Sequence, residues 1–409
     1  MQWLRKFQSF KWCDVSHRRV KYYRFDRIEL AGSLGDLGTL LPLVFALVSI
    51  NGLNPTILFL LVGMFYIWTG LYYRLPISIQ PLKLVAILAI SLKLIPSVIA
   101  ASGILIGLIL LFLVSTRLID KLSKLFCKPT LRGVQLGIGL LLIVKGGTLA
   151  ISPKLFFDIA YLPREIQDLA GPIGLAIAFL TISIIFLFRR KERFPSALVA
   201  ICMGIIFGLI LKIVYSLSLP SLSDFKAPLF NLPAKKDFLD ALILLVIPQI
   251  PITLGNAGYA ASDLAKRFYG ERAERVTPRR LSASMGLFNI ISGLCGSMPV
   301  CHGSGGIAAH YRFGARTGGA NIMLGAIFLA IALIFKDSAS YVIALIPVPV
   351  LGVLLFFAGI EMLKLILDLE GKKEYCIAIS IAAIALLTSN LTLAMACGIF
   401  TKFILHRTS

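Results

Sequence analysis

The stretch SMPVCHGSGGIAAHYRFGARTGG, from Ser297 to Gly319, decides how this chain folds. A proline, a Cys-His pair and three closely spaced glycines precede a short run with helical character, between sequences apolar enough to cross a membrane. Irregular backbone at membrane depth is tolerated only where it is buried in protein or lines a cavity. The stretch therefore predicts a helix that begins inside the membrane, with free N–H groups and a positive dipole end that can hold an anion.

The rest of the chain predicts an all-α polytopic membrane protein. Of the 409 residues, 58% are hydrophobic and 15% are charged, whereas a soluble domain carries about 25% charged residues. Long apolar runs alternate with short basic loops and indicate about 14 transmembrane segments. Residues 1–27 form a basic N-terminal segment, 28–218 hold segments one to seven, 219–235 form an extracytoplasmic connector, and 236–405 hold segments eight to fourteen.

The net charge of +21 follows the predicted topology. With both termini in the cytoplasm, most basic residues fall in inside loops, as expected for a multi-pass protein of the cell (plasma or inner) membrane. Nucleic-acid binding is therefore not needed to explain the charge. The seven cysteines are scattered, and their odd number argues against a disulfide framework.

The two halves of the chain carry matching interruptions. Segment three begins LPISIQPLK (Leu75–Lys83), and segment ten begins SMPVCHGSGG (Ser297–Gly306). Segment one contains GSLGDLGTLLP (Gly32–Pro42), and segment eight contains IPQIPITLGNAG (Ile247–Gly258). Each pair lies seven segments apart, and an odd number of spans per repeat inverts the second copy. The pattern predicts inverted repeats with short broken helices at segments three and ten, where transporters place their sites.

The residues at these breaks suit an anion. Lys83 lies in the first turn of segment three, where it either holds the anion, pairs with Asp36, or reaches an interface as a snorkelling cation. Gln80 either donates N–H groups to the ligand or bonds within the core. Glycines let a backbone approach a ligand closely, or let helices pack tightly. The predicted donors of the tenth segment are Gly303, Ser304, Gly305 and Gly306.

Titratable groups raise the question of coupling. Asp36 lies mid-span and is a candidate proton carrier, or else pairs with Lys83 or caps a broken helix, and Thr39 nearby offers a hydroxyl. His302 is a candidate for substrate binding or proton coupling, with a structural hydrogen bond equally open. Glu29 is interpreted as an interfacial charge paired with Arg27.

Segment eight repeats polar residues on one helical face, either for the substrate or for interhelical hydrogen bonds. These are Gln249, Thr253 and Asn256, beside the helix-breaking Pro248 and Pro251.

At four places the sequence resembles the molybdate transporter family, a branch related to the SulP sulfate permeases. The matching pieces are ELAGSLGDLGTLLPL (Glu29–Leu43), PISIQPLK (Pro76–Lys83), PQIPITLGN (Pro248–Asn256) and MPVCHGSGGIAAHYRFGARTGG (Met298–Gly319). The last is long and specific. ITLGN departs from the Thr-Thr-Leu-Asn run of relatives, and the STAS domain of SulP permeases is missing, as it generally is in this branch.

The resemblance implies a fold of seven plus seven inverted repeats. Segments 1–4 and 8–11 would form a core that carries the site, and segments 5–7 and 12–14 would form a gate. It also implies uptake of a tetrahedral oxyanion, molybdate ahead of sulfate, by alternating access in the lipid bilayer. Related transporters are often dimers, so a homodimer is one assembly to expect.

Three other functions stay open to different degrees. A nucleobase permease of similar architecture would place carboxylates in segments eight and ten, where this chain has Gln249, His302 and glycines. An anion channel could use the same broken helices, and saturable, gradient-coupled uptake would separate the two. An enzyme is disfavoured because the spans hold no nucleophile constellation or paired carboxylates. We expect no cofactor and no metal, since Cys301-His302 has no matching ligand pair.

Overall fold

The computed structural model of the protein describes residues 22–119, 128–156, 164–188, 196–215, 232–335, 343–388 and 393–394. Nearly all of predicted segment fourteen (389–405), most of the connector (219–235) and the N-terminal segment up to residue 21 lie outside the described residues.

Helices make up most of the described chain, and two short strands lie between them. In chain order the elements are α1 (Arg27–Asn51), α2 (Pro55–Tyr73), β1 (Gln80–Pro81), α3 (Lys83–Leu92), α4 (Pro96–Ser115), α5 (Lys128–Ala150), α6 (Arg164–Phe188), α7 (Ser196–Tyr215), α8 (Lys235–Ala273), α9 (Pro278–Leu294), β2 (Val300–Cys301), α10 (Ser304–Arg312), α11 (Gly318–Phe335), α12 (Val348–Leu363) and α13 (Lys372–Thr388).

The helices bear out a multi-pass membrane protein. Within the described ranges, eight helices are long and apolar enough to cross a membrane. By contrast, α3 has 10 residues and α10 has 9, so each extends about 15 Å, roughly half of the hydrocarbon core. The number of fourteen spans and the inverted repeat stay predictions.

Several helix ends follow directly from local sequence. The Asn54 side chain accepts hydrogen bonds from the first turn of α2, and Pro55 starts that helix with a preset φ. Asp26 caps α1 in the same way. The Glu29 backbone N–H and the Arg24 guanidinium hold the pKa of the Asp26 carboxyl below its usual value, because both stabilise the carboxylate.

Three helix pairs pack through facing glycines: α2 with α11, α4 with α9, and α5 with α12. In each, a Cβ on one glycine would come within 2.9 Å of a backbone oxygen of the partner helix, so only small residues allow the approach. In a repeat of seven segments, each helix corresponds to the helix seven places earlier or later. The counterpart of the α2–α11 pair is then α9–α4, and the α5–α12 pair is its own counterpart. An inverted repeat of seven plus seven segments would require this exchange, and the repeat itself stays a prediction. The glycines are Gly63 with Gly325, Gly107 with Gly286, and Gly146 with Gly352.

Candidate functional site

The two chain breaks lie against each other. Strands β1 and β2 pair antiparallel, with Gln80 opposite Cys301 and Pro81 opposite Val300. The Leu82 N–H extends the pair by donating to the Pro299 carbonyl at 2.9 Å. The Ser78 hydroxyl donates to the Gly303 carbonyl at 2.8 Å. These contacts bring the N-termini of α3 and α10 to the two ends of one strand pair.

Both helix N-termini are uncapped. The N-cap positions, Leu82 for α3 and Gly303 for α10, supply no side-chain hydrogen bond within the described residues. The first two N–H groups of each helix therefore lack a capping acceptor, whereas the third is engaged, by Gln249 Oε1 in α3 and by the Gly303 carbonyl in α10. A Cβ placed on the exposed Gly305 would meet Lys83 Nζ at 3.8 Å. The half-buried ammonium thus points at a helix end that is itself positive, which is unfavourable unless an anion lies between them.

Helix α8 connects the two half-helices. Gln249 Oε1 accepts from the Val85 N–H in the first turn of α3 at 3.4 Å, and Gln249 Nε2 donates to Thr253 Oγ1 at 2.9 Å. The Ser304 hydroxyl of α10 donates to Asn256 Oδ1 at 2.6 Å. Thr253–Ala260 is π-helical, a form that often marks functional sites. The structure thus brings all three predicted residues of segment eight to the two breaks.

Asp36 lies buried behind the α10 N-terminus. Gln80 Nε2 donates to its Oδ1, and the Tyr66 hydroxyl lies 3.2 Å from its Oδ2. A Cβ on Gly306 would come within 2.7 Å of that same Oδ2. Among the described residues no ion pair joins Asp36 to Lys83, so of the three roles predicted for Lys83 the geometry does not favour pairing with Asp36. Because the ammonium faces the N-terminus of α10, the geometry favours holding an anion over reaching an interface.

His302 is fully buried with both ring nitrogens engaged. Its Nδ1 lies 3.0 Å from the Ser78 carbonyl oxygen, and its Nε2 lies 2.7 Å from Ser284 Oγ. Because a carbonyl only accepts, Nδ1 carries the proton and Nε2 accepts from the serine. This arrangement is a structural hydrogen-bond network, the alternative that the sequence left equally open. It does not favour the predicted roles of His302 in substrate binding or proton coupling.

Two members of the site, Tyr66 and His310, were not predicted from the sequence. The fully buried His310 on α10 points its Nε2 at Asp36 Oδ2, 4.0 Å away. It lies in the quoted stretch, and a titratable side chain at membrane depth is itself a site hypothesis, so this signal was available. Tyr66 lies in an apolar span with no comparable signal.

Two further predictions concern Thr39 and metal binding. Thr39 is half-buried on α1, and nothing within the described residues joins it to the other site members. Among the described residues, no group of three or more His, Cys, Asp or Glu side chains is placed to hold a metal ion.

Solved structures define the class of this fold. The transmembrane domain of a cyanobacterial bicarbonate transporter, BicA, matches with a TM-score of 0.61 at 17% identity, over 90% of this chain and 97% of that one. A murine Solute Carrier 26 anion transporter, Slc26a9, matches with a TM-score of 0.65 at 14% identity, over 99% of this chain and 75% of that one. The chain therefore has the fold of these membrane anion transporters.

Sequence comparisons identify the family. A profile described as "Molybdate transporter of MFS superfamily" matches residues 28–142 and 241–362. Molybdate transporter 2 of Arabidopsis thaliana is 31% identical over 96% of this chain and 90% of its own length. Molybdate transporter 1 of Chlamydomonas reinhardtii is 26% identical over 93% and 91%. The chain belongs to the molybdate transporter family, and its fold agrees with the relation to SulP permeases.

Proposed function

We propose that this protein is a secondary active transporter that imports a tetrahedral oxyanion, molybdate above others. The observation that carries the proposal is the gap between Lys83 and the uncapped N-terminus of α10. Two helix N-termini contribute about +0.5 each, and Lys83 adds a full positive charge. Together they balance a dianion. The names of the relatives favour molybdate as that dianion.

The donors around the gap fit four acceptor oxygens. The backbone N–H groups of Ser304 and Gly305 and the amide of Asn256 stand on one side, and the Lys83 ammonium stands on the other. The hydrogen bonds of Gly306 N–H to the Gly303 carbonyl, of the Ser304 hydroxyl to Asn256 and of the Gln80 amide to Asp36 hold these donors in position. Gln249 and Thr253 support the α3 end. The absence of a carboxylate among these residues disfavours a neutral nucleobase, which such permeases hold with acidic groups. Sulfate shares the charge and shape of molybdate and is the competing substrate.

Alternating access would move a core against a gate. The core would comprise α1–α4 and α8–α11, and the gate α5–α7, α12, α13 and the last predicted segment. The glycine-packed pairs α2–α11 and α4–α9 lie within the core, and α5–α12 lies within the gate, which supports this division. The seven plus seven inverted repeat, cytoplasmic termini, residence in the cell membrane and a homodimer belong to the same proposal.

Proton symport is the coupling that the buried Asp36 supports. A carboxylate beside a bound dianion is electrostatically disfavoured, so binding of the substrate and of a proton would reinforce each other.

Uptake of radiolabelled molybdate into proteoliposomes, at sub-micromolar concentration, tests the function. We expect saturable uptake that survives a large excess of unlabelled sulfate. Uptake abolished by sulfate would instead identify a sulfate-type permease, and uptake that does not saturate would identify a channel. Lack of uptake of either anion, in vesicles with folded protein, would overturn the proposal.

A further inference from the structure

A carboxylate and an imidazole face each other in the buried core of the site. His310 Nδ1 lies 3.0 Å from the Gly32 carbonyl oxygen, so Nδ1 carries a hydrogen. His310 Nε2, fully buried, has no hydrogen-bond partner among the described residues and points at Asp36 Oδ2, 4.0 Å away. A buried nitrogen without a partner beside a carboxylate is costly unless a proton can be taken up there.

Among the groups that surround Asp36 and His310, the Nε2 atom of His310 is the one placed to take up a proton. Tyr66 of α2 faces Asp36 with its hydroxyl, and Gln80 donates an amide hydrogen to the other carboxylate oxygen. Within the described part of the chain, the other titratable groups close enough to interact with this cluster are Lys83 of α3 and the Cys301 thiol of β2. Of these groups, His310 is the one that presents a nitrogen lone pair without a hydrogen-bond partner among the described residues, so it can take up the proton.

The pair also touches the place where the anion would lie. A Cβ on Gly306, in the first turn of α10, would come within 2.7 Å of Asp36 Oδ2. The carboxylate therefore lies directly behind the backbone that faces the gap. The two helix N-termini and Lys83 already balance the two negative charges of the anion. The negative charge of Asp36 therefore has no counter-charge.

We propose that one proton binds at His310 Nε2, between the ring and Asp36, each time the site takes up a divalent oxyanion. This inference rests on the proposed function. The proton comes from water on the side to which the site is open, and it forms an N–H bond with the Nε2 lone pair. The imidazolium then pairs with the Asp36 carboxylate, and the proton leaves to water once the site opens to the cytoplasm. The bound state is thereby close to neutral.

Thermodynamic linkage makes the proposal quantitative. If protonation raises the affinity for the dianion, binding of the dianion favours protonation by the same factor. We expect the affinity of the wild-type protein for molybdate to rise about tenfold from pH 8 to pH 5.5, which is within the usual range for coupled sites.

Two substitutions should change this dependence in opposite directions. Asp36→Asn removes the surplus negative charge, so affinity should be independent of pH and close to the wild-type value at pH 5.5. His310→Gln leaves the carboxylate without its proton partner, so affinity should be about tenfold weaker than that wild-type value at every pH. The measurement is molybdate binding to purified protein by isothermal calorimetry, with thermal unfolding as the control for folding.

Transport measurements distinguish a failure of the proton site from a failure of the proposed transport function. In proteoliposomes, an inward proton gradient should accelerate molybdate uptake by the wild-type protein, with one proton per anion reported by a trapped pH dye. His310→Gln should exchange labelled for unlabelled molybdate only at about tenfold higher concentrations, as its weaker affinity requires, and should lose the acceleration. Acceleration equal to wild type in folded His310→Gln would overturn the inference and leave the function intact.

Measurements on the wild-type protein alone also test the proton site. Molybdate uptake without proton movement would overturn the proton site while the function stands, even if a variant fails to fold. Wild-type protein that neither binds nor transports molybdate would remove both.

Discussion

The half-helices α3 and α10 share one backbone plan but carry different chemistry. Each follows a two-residue strand, begins without a side-chain cap and is too short to span the membrane. In α3 the first residue is Lys83, and apolar side chains follow. In α10 the first residues are Ser304 and two glycines, one of them exposed toward Lys83 Nζ. One break therefore supplies charge, whereas the other supplies space and backbone donors.

Loss of the charge should have the largest effect. Lys83→Gln keeps a polar hydrogen-bond donor on a side chain one atom shorter but removes the full positive charge facing α10. Truncating one partner of a buried charge pair costs about 2 kcal/mol or more, and because Lys83 is half-buried we take about 2 kcal/mol, a fall in molybdate affinity of about 30-fold. The measurement is the concentration dependence of labelled uptake in proteoliposomes.

Lys93 offers a matched control for this substitution. It is exposed at the opposite end of the same helix, so Lys93→Gln removes a charge from α3 without touching the gap. Its KM should stay within about threefold of wild type, since surface charges contribute little. Equal losses in both variants would mean that Lys83 acts only through the general charge of the protein.

Two neighbouring glycines test the role of space. In Gly306→Ala the new methyl would meet Ser78 Cβ at 2.4 Å and Asp36 Oδ2 at 2.7 Å. Such overpacking costs about 1–3 kcal/mol, so the melting temperature and uptake should both fall. In Gly305→Ala the methyl has only Lys83 Nζ within reach, at 3.8 Å. The melting temperature should hold, while the methyl in the gap raises KM about tenfold.

The contrast between the two variants is the informative result. A melting temperature lowered equally in both would mean that the space beside Gly305 is filled in the native protein. Normal KM in Gly305→Ala would place the anion elsewhere.

The two histidines of the quoted stretch should differ in a similar way. His302→Gln breaks the hydrogen bonds to Ser284 and the Ser78 carbonyl, which should cost about 1–3 kcal/mol. Thermal unfolding should detect this loss, while uptake by the folded fraction keeps its dependence on the proton gradient. Loss of that dependence would restore the predicted coupling role of His302 and weaken the case for His310.

The local features of the site, namely where its backbone departs from a helix and which residues share one helical face, could be predicted from the sequence. Proline and glycine at LPISIQPLK and SMPVCHGSGG predicted where the backbone departs from long helices, and strands β1 and β2 lie at those places. The spacing of Gln249 and Asn256 placed both on one face of segment eight. The all-α membrane class followed from composition alone.

Contacts between distant segments were not accessible. Glu29 was interpreted as an interfacial charge paired with Arg27, and this was wrong. Its buried carboxylate accepts hydrogen bonds from the Arg316 and Thr317 N–H groups just before α11. Likewise, nothing local in the sequence shows that Tyr66 and His310 face Asp36, because each lies on a different helix.

The smallest expected effect concerns the link between α10 and α8. Ser304→Ala removes the hydroxyl that donates to Asn256 Oδ1 at 2.6 Å. One neutral, half-buried hydrogen bond contributes about 1 kcal/mol, so KM for molybdate should rise about fivefold with little change in melting temperature. Ser304→Thr keeps the hydroxyl and should stay closer to wild type. Ser102→Ala, which removes a buried hydroxyl that bonds only within α4, is the control for general effects on packing. If Ser304→Ala matches that control, the α10 end binds the anion through its backbone alone, and the difference between the two half-helices reduces to Lys83 against bare N–H groups.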